Sequence, residues 1–225
     1  KSLLNKYGKS YKRKTIISTF DAISVRRVVA TNKKLYVNRE EGFIGYDIKN
    51  EEYVKECSDI DNIIVFKEDG KFIITPIENK KYVGKNIIHI DIWRKNNPHM
   101  VYNIVYKDGK SRFSYVKRFS VLSVIINREY ELTQGSEKSR ILYFTANPNS
   151  ESEIINIFLH HTSKARKKEF IYNFNSISIK SRNSKGNILS KYPLRSISHK
   201  EIGSSTLGGR KIWFDDSIGK LNHDD

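Results

Sequence analysis

The chain has 225 residues, 41 Lys and Arg against 25 Asp and Glu, and a net charge of +16. That length suits one ordinary domain or two small ones, and a 38% hydrophobic, 12% aromatic composition excludes a disordered tail. No apolar run approaches the roughly 18 residues of a membrane span, and a single cysteine, Cys57, excludes an internal disulfide framework or a cysteine-rich zinc site.

The charge points to a polyanionic partner, bound by phosphate neutralisation and counterion release, with nucleic acid the favoured class. The alternative is a basic protein whose charge merely keeps it soluble. No apolar leader opens the chain, so no signal peptide is expected. The chain starts at Lys1 and its single methionine is Met100, as expected of a fragment or excised domain. A lone cysteine fits a reducing cytoplasm.

Residues 1–15 carry no acid. Leu3, Leu4 and Tyr7 fit one helical face and Gly8 can end it, so this stretch reads as a helix tail and basic linker, with Lys1, Lys6 and Lys9 outside the main domain. Residues 16–225 read as β. Lys34–Asn38 leads through Glu40-Glu41-Gly42 to Phe43-Ile44. Ile63–Phe66 leads through Asp69-Gly70 to Lys71–Thr75, where a type I′ turn is expected because Gly takes positive φ cheaply. Tyr102–Tyr106 leads to Asp108-Gly109. Ile141–Phe144 leads through Asn147-Pro148-Asn149-Ser150 to Ile154–Phe158. Ser176–Ile179 leads through Lys185-Gly186 to Asn187-Ile188. Gly70 to Gly109 is 39 residues and Gly109 to Gly186 is 77. Gly42 to Gly70 is only 28, so the first unit is short; five hairpins otherwise spaced by about 40 residues, with turns at Gly42, Gly70, Gly109, Asn149 and Gly186, imply an all-β, propeller-like fold of about five hairpin-led, four-stranded units.

Basic residues lie in or beside the second half of each unit: Lys80, Lys81 and Lys85; Lys117 and Arg118; Lys164, Arg166, Lys167 and Lys168; Lys191 and Arg195; Arg210 and Lys211. Recurring in four successive units, they form a candidate DNA-binding track on the rim, to which these units contribute alike. Solvated loops are the competing account.

Catalytic signals are sparse. There is no G-x-x-x-x-G-K-[ST] loop, no G-x-G-x-x-G after a strand and no G-x-S-x-G elbow. Leu207-Gly208-Gly209-Arg210 reads as a turn, and so does Asp215-Asp216 after Trp213-Phe214. His160 and His161, read as strand neighbours, face opposite ways and cannot easily share a metal. Cys57, beside Glu56 and Asp59, lacks an activating base. Most aromatics alternate with Ile and Val and read as core rather than as a stacking platform for bases. The expectations are no catalytic residue and no metal site.

Several phrases together resemble a known family. They are Leu4–Lys9 followed by Lys14-Thr15, Lys34–Gly45, Asp59–Phe66, Val83–His89, Tyr106–Ser111, Leu142–Asn149 and Gly209–Asp216. They are similar to the C-terminal domain of the A subunit in bacterial type IIA topoisomerases, most of all the topoisomerase IV type of the Bacteroidetes lineage. The resemblance covers nearly the whole chain. It implies a β-pinwheel whose blades exchange strands, and a non-catalytic domain that binds and bends duplex DNA. It implies that the catalytic tyrosine lies in another part of the same polypeptide, while the ATPase lies on the B subunit. ATP and Mg²⁺ then serve other parts of the enzyme and no cofactor serves this one. The implied partners are duplex DNA, the N-terminal region of the same polypeptide and the B subunit, with no membrane and a cytoplasmic, nucleoid-associated location. The Q-R-R-G-G-K-G box of gyrase A subunits is absent; Gly84-Lys85 keeps only a glycine–lysine pair. That departure favours relaxation and decatenation over gyrase-like supercoiling. The rival readings are a gyrase A domain or a propeller-type protein-interaction scaffold.

Overall fold

A computed structural model describes residues 33–48 and 51–203 and the backbone of two further strands, 212–215 and 220–223. The expected helix tail and linker over 1–15 lie outside the described residues, as do Arg210 and Lys211. The first unit supplies β1 (Lys33–Asn38), β2 (Phe43–Gly45) and β3 (Glu52–Cys57). The second supplies β4 (Asn62–Lys67), β5 (Lys71–Pro76), β6 (Lys81–Tyr82) and β7 (Ile87–Trp93). The third supplies β8 (Val101–Lys107), β9 (Ser114–Ser120), β10 (Glu129–Glu131) and β11 (Arg140–Asn147). The fourth supplies β12 (Ile154–Leu159), β13 (Glu169–Asn173), β14 (Ile179–Ser181), β15 (Asn187–Ser190) and β16 (Leu194–Glu201). A final antiparallel pair is β17 (Ile212–Asp215) with β18 (Lys220–His223). A single 3₁₀ turn, Phe174–Ser176, is the one helical stretch among the described residues.

One pairing rule repeats. Each unit opens with a hairpin: β1–β2, β4–β5, β8–β9 and β12–β13. A later strand of the unit pairs with the hairpin's first strand: β3 with β1, β7 with β4, β11 with β8 and β16 with β12. Between the two, a short segment crosses back to the second strand of the preceding hairpin: β6 to β2, β10 to β5, and β14 and β15 to β9. The first two sheets are therefore four-stranded, each with one borrowed strand, while the third takes two successive pieces along β9.

This pairing corrects two of the five expected hairpins. Asn147–Ser150 does not join a hairpin, because β11 pairs with β8 and β12 with β13. It links one sheet to the next, and the fourth hairpin turns through residues 160–168, closed by Leu159 N–H to Lys168 O at 2.7 Å. Gly186 is no hairpin turn either. It sits in the segment lent to β9, at φ +84°, where a Cβ would meet Val116 O at 2.5 Å, so only glycine lets the segment lie flat on the strand. Gly42, Gly70 and Gly109 do mark hairpin turns. The Gly70 turn is a three-residue connection, Glu68-Asp69-Gly70, with only Gly70 at positive φ, rather than the expected type I′.

The hairpin ends are tied by shared connectors. Residues 83–87 receive both the first and second turns, through Val83 N–H to Gly42 O at 2.9 Å and Glu68 N–H to Asn86 O at 2.9 Å. Residues 132–141 receive the second and third, through Leu132 N–H to Gly70 O at 2.8 Å and Gly109 N–H to Ser139 Oγ at 3.0 Å. Residues 190–194 receive the third and fourth, through the Ser190–Ser114 register and His160 N–H to Pro193 O at 2.9 Å.

Sheets stack face to face through three cores. Leu35, Val37 and Ile44 of the first sheet meet Ile63 and Val65 of β4. The other face of β4, Ile64 and Phe66, meets Tyr102, Ile104 and Tyr106 of β8. Val105 and Val116 then meet Ile155 and Ile157 of β12. A sheet covered on both faces buries successive residues, so Ile63-Ile64-Val65-Phe66 reads as an unbroken apolar run rather than an alternation. Each such side chain contributes about 1.5–3 kcal/mol on burial. Phe66 is the hub, with ring centroids 4.7 Å from Tyr102, 4.8 Å from Phe144 and 5.3 Å from Phe72.

His89 of β7 stacks into this cluster 5.1 Å from Phe144, and its Nε2 is buried without a partner. Burial pushes its pKa down to about 4. The unfolded chain therefore takes up the proton first, and stability falls as pH drops from 6.5 towards 4. Urea unfolding of the wild type against His89→Leu is expected to show this acid loss in the wild type only. The difference should be on the order of 3 kcal/mol at its acid end.

Candidate nucleic-acid interface

Charge is not spread evenly over the fold. Residues 33–153 hold 20 Lys and Arg against 18 Asp and Glu, whereas residues 154–200 hold ten against one, Glu169. Among the described residues, six of those 20 cations are ion-paired. Arg39 pairs with Glu52 at 2.7 Å, Lys55 with Asp91 at 2.5 Å, and Lys67 and Lys71 with Glu129 at 2.5 and 3.0 Å. Lys81 pairs with Glu78, and Arg140 with Glu68 at 3.8 Å. Hydrogen bonds from Arg39 hold the Glu52 carboxyl below its usual range. None of the ten cations in 154–200 has a carboxylate partner among the described residues.

The expected site residues therefore fall into distinct groups. Lys164, Arg166, Lys167 and Lys168 lie in the fourth hairpin turn, with Lys168 Nζ donating to His161 O at 2.5 Å. Lys191 and Arg195, both exposed, flank the connector tied to that turn by His160 N–H and Pro193 O. Lys85 is exposed on the first connector, while Lys80 and Lys81 lie further back beside β2, opposite the Phe43-Ile44 edge. Lys117 and Arg118 must be withdrawn as surface contacts, being only 2% and 1% exposed in β9. Lys117 Nζ donates to three carbonyl oxygens, of Leu132, Arg182 and Ser184. Arg118 donates through Nε to Asn103 Oδ1 at 3.0 Å and through an Nη to Ser150 O and Glu151 O. Burial pushes the Lys117 ammonium down to about 7 and the Arg118 guanidinium below its usual value.

Four cations missed from sequence complete the surface: Lys180, Arg182, Lys185 and Lys200. The signal was present, because residues 170–200 contain no Asp or Glu at all. It is an absence, and inspection of basic clusters passes over it. Several of these cations are underlaid by aromatic rings. Lys185 Nζ lies 4.8 Å from the Tyr115 centroid, the Arg182 guanidinium 4.6 Å from Tyr130, Lys191 Nζ 5.9 Å from Phe113 and the Arg195 guanidinium 5.7 Å from Phe158. A ring face attracts a cation while leaving its outer N–H groups free, so charge is held in place without an ion pair, although Lys185 also acts on the Asp108 carboxyl. Lys80 over Phe43, at 4.4 Å, repeats the device on the first sheet.

A separate cavity of about 560 Å³ opens between β7 and β8 and is lined by Lys55, His89, Asp91, Trp93, Arg94 and Tyr102 among others. Asp91 is already paired with Lys55, and burial keeps His89 neutral near pH 7. His160 and His161 lie in a turn, not a strand, and their rings stack at 4.3 Å, so they do not face opposite ways as expected. Thr162 Oγ1 engages His160 Nδ1 at 2.7 Å. No cluster of three or more metal-ligating side chains occurs among the described residues. Cys57 is buried and its thiol is pushed up to about 11.

Hairpin-led sheets, the first three of them completed by a strand from the next unit, define a β-pinwheel. The profile of the family described as topoisomerase C-terminal domain, Bacteroidota, matches residues 34–201, about three quarters of the chain, which therefore belongs to that family. The A subunit of DNA topoisomerase 4 from Borreliella burgdorferi is 32% identical over 147 residues, 65% of this chain and 23% of that protein. The chain thus matches under a quarter of that relative's length. A crystal structure of the C-terminal domain of DNA topoisomerase IV is similar at a TM-score of 0.42 and 12% identity, over 76% of this chain and 62% of that one.

The two kinds of cation separate by thermodynamics. Arg118→Met takes the donor from the buried Asn103 Oδ1 and removes the guanidinium's bonds to Ser150 O and Glu151 O, and is expected to lower stability by on the order of 3 kcal/mol in urea unfolding. Arg166→Met, at an exposed turn, is expected to leave the unfolding midpoint unchanged.

Proposed function

We propose that this domain binds duplex DNA without base recognition, through the carboxylate-free cations of residues 154–200, and bends it along that surface. One observation carries the reading: ten cations in 47 residues, none in an ion pair among the described residues. A cation already paired with a carboxylate must give up that pair to meet a phosphate, whereas a ring-underlaid cation gives up only water. Binding then draws on counterion release, with log K falling by about 0.9 per phosphate for each unit of log salt. Bending a short duplex costs on the order of 1–6 kcal/mol, which phosphate binding along the fourth hairpin turn and its connector offsets.

In the whole enzyme the domain is a non-catalytic part of a topoisomerase IV-like A subunit. It presents one duplex segment to the cleavage core for relaxation and decatenation. Its partners there are the N-terminal region of its own polypeptide and the separate B subunit, whose ATPase supplies the use of ATP and Mg²⁺, in the cytoplasm at the nucleoid. The printed name of the Borreliella relative and the missing Q-R-R-G-G-K-G box both support this over a gyrase role.

The test compares two charge reversals. Lys164→Glu with Arg166→Glu and Lys167→Glu is expected to reduce the salt slope by about 3 and weaken binding of a random-sequence duplex at every salt concentration. Reversing Lys71 and Lys81, both paired, is expected to change the slope by less than about 1. Fluorescence transfer between the duplex ends should fall back towards the unbent value only in the first variant. Equal losses from the two reversals would show that DNA does not favour the fourth unit.

A further inference from the structure

We infer that Lys117, assisted by Tyr106, is a positioning residue for phosphate contact: buried itself, it shapes the loop of residues 182–186 that carries Arg182 and Lys185 to the surface. The inference rests on the DNA-binding reading above.

The geometry starts from how β9 is covered. β14 runs parallel to β9, with Ile179 opposite Arg118, and β15 runs antiparallel, with Asn187 opposite Val116. The chain reverses direction between them, beside the one β9 residue, Lys117, that neither piece reaches. Backbone carbonyls in such a reversal have no ladder partner and need donors. Lys117 supplies them, with Nζ 2.6 Å from Arg182 O and 3.0 Å from Ser184 O. Its third N–H reaches Leu132 O, also at 2.6 Å, on the connector from the preceding unit. Tyr106 Oη donates to the carbonyl of Lys185, the next residue along, at 2.6 Å. Three carbonyls of one five-residue loop are thus drawn inward by two buried side chains.

What the loop shows outward follows. The Arg182 guanidinium reaches over Tyr130 and donates to Ser123 O at 2.8 Å, and Lys185 lies over Tyr115. Gly186 keeps the loop pressed against β9, since a Cβ there would also meet Lys117 Cβ at 2.9 Å. An ammonium with three carbonyl acceptors and 2% exposure cannot reach a phosphate. Its effect on DNA must pass through the two cations whose backbone it holds.

That dependence is a coupling, and a double-mutant cycle measures it. The 225-residue chain would be titrated with a fluorescein-labelled duplex of about 30 base pairs across a salt series. The variants are Lys117→Met, the pair Arg182→Ala with Lys185→Ala, and all three together. The pair is expected to lower the salt slope by about 2, near 0.9 for each phosphate lost. Lys117→Met is expected to lower it by about 1 or more although it removes no contact, and to add nothing in the pair's background. Amide exchange at 183–186 should speed up in Lys117→Met without DNA. Where Lys117→Met does not fold, Tyr106→Phe enters the same cycle with the same expectation and a smaller effect. Full additivity, or an unchanged slope in a folded variant, overturns the positioning role while leaving DNA binding in place. A wild-type chain that retains no duplex at low salt overturns the DNA reading itself, and this inference with it.

Discussion

No sheet among the first three is complete without a strand from the unit that follows. A hairpin offers one strand edge to its own unit and leaves the other open, and an open edge is a row of unsatisfied amides and carbonyls. Here β6, β10 and the β14–β15 segment close those edges in turn. The crossing segment must then return to its own sheet, which forces a connector between consecutive hairpin turns. Cores, connectors and turns therefore depend on one another across unit boundaries. A lesion in one unit exposes apolar faces in two.

This arrangement explains why the surface charge can differ so much between units while the pairing rule stays the same. The rule specifies strands, turns and close approaches, and leaves the outward side chains of turns and connectors free. In the first three units that freedom is spent on mixed charge, and salt bridges such as Lys67–Glu129 and Arg140–Glu68 join the second unit to the third. In the fourth unit it is spent almost wholly on cations, with Glu169 the one acid in residues 154–200. Surface ion pairs contribute little to stability, typically below about 1 kcal/mol. Omitting the carboxylates therefore costs the fold little and leaves the cations available to an outside anion.

The hairpins legible in the sequence were those whose two strands are neighbours in the chain and whose turn holds a glycine at the reversal, at Gly42, Gly70 and Gly109. Asn147–Ser150 carries equally good turn chemistry between two apolar strands, and Ser150 does take positive φ at 59°. Local chemistry states that the chain turns there. It does not state which strand each side will pair with, and β11 finds β8 across more than thirty intervening residues. The 160–168 turn was hidden for the opposite reason. It has no glycine, and its run of cations reads as a binding loop, which conceals its second role as the hairpin closure. Of the candidate site, the fourth-unit cluster and Lys191 and Arg195 were legible as charge. The carboxylate pairing that sets Lys81 apart from Lys167 is a matter of three-dimensional contacts, which a string of residues does not display.

Lys117 and Arg118 show where sequence reading fails for a physical reason. Two adjacent cations on a strand ordinarily imply that at least one faces water, because neighbours point to opposite faces. That holds for a sheet with a wet face, and β9 has none. The register places Tyr115 opposite Tyr106 and Phe72 opposite Phe66, so Lys117 and Arg118 occupy the positions that Ile74 and Thr75 hold in β5. There Ile74 and Thr75 are fully buried, and Thr75 Oγ1 needs only Asn127 Oδ1, at 2.8 Å, to fix the single borrowed strand. The third sheet borrows a segment that doubles back, and its loop carbonyls outnumber the donors that main chain or a hydroxyl could supply. The Lys117 ammonium provides three N–H groups from one position. The same longer segment puts Lys180, Arg182 and Lys185 on the surface. In the third sheet the burial of Lys117 and the exposure of these cations are two results of one change, the lengthening of the borrowed strand, whereas Arg118 serves Asn103 and the carbonyls of Ser150 and Glu151.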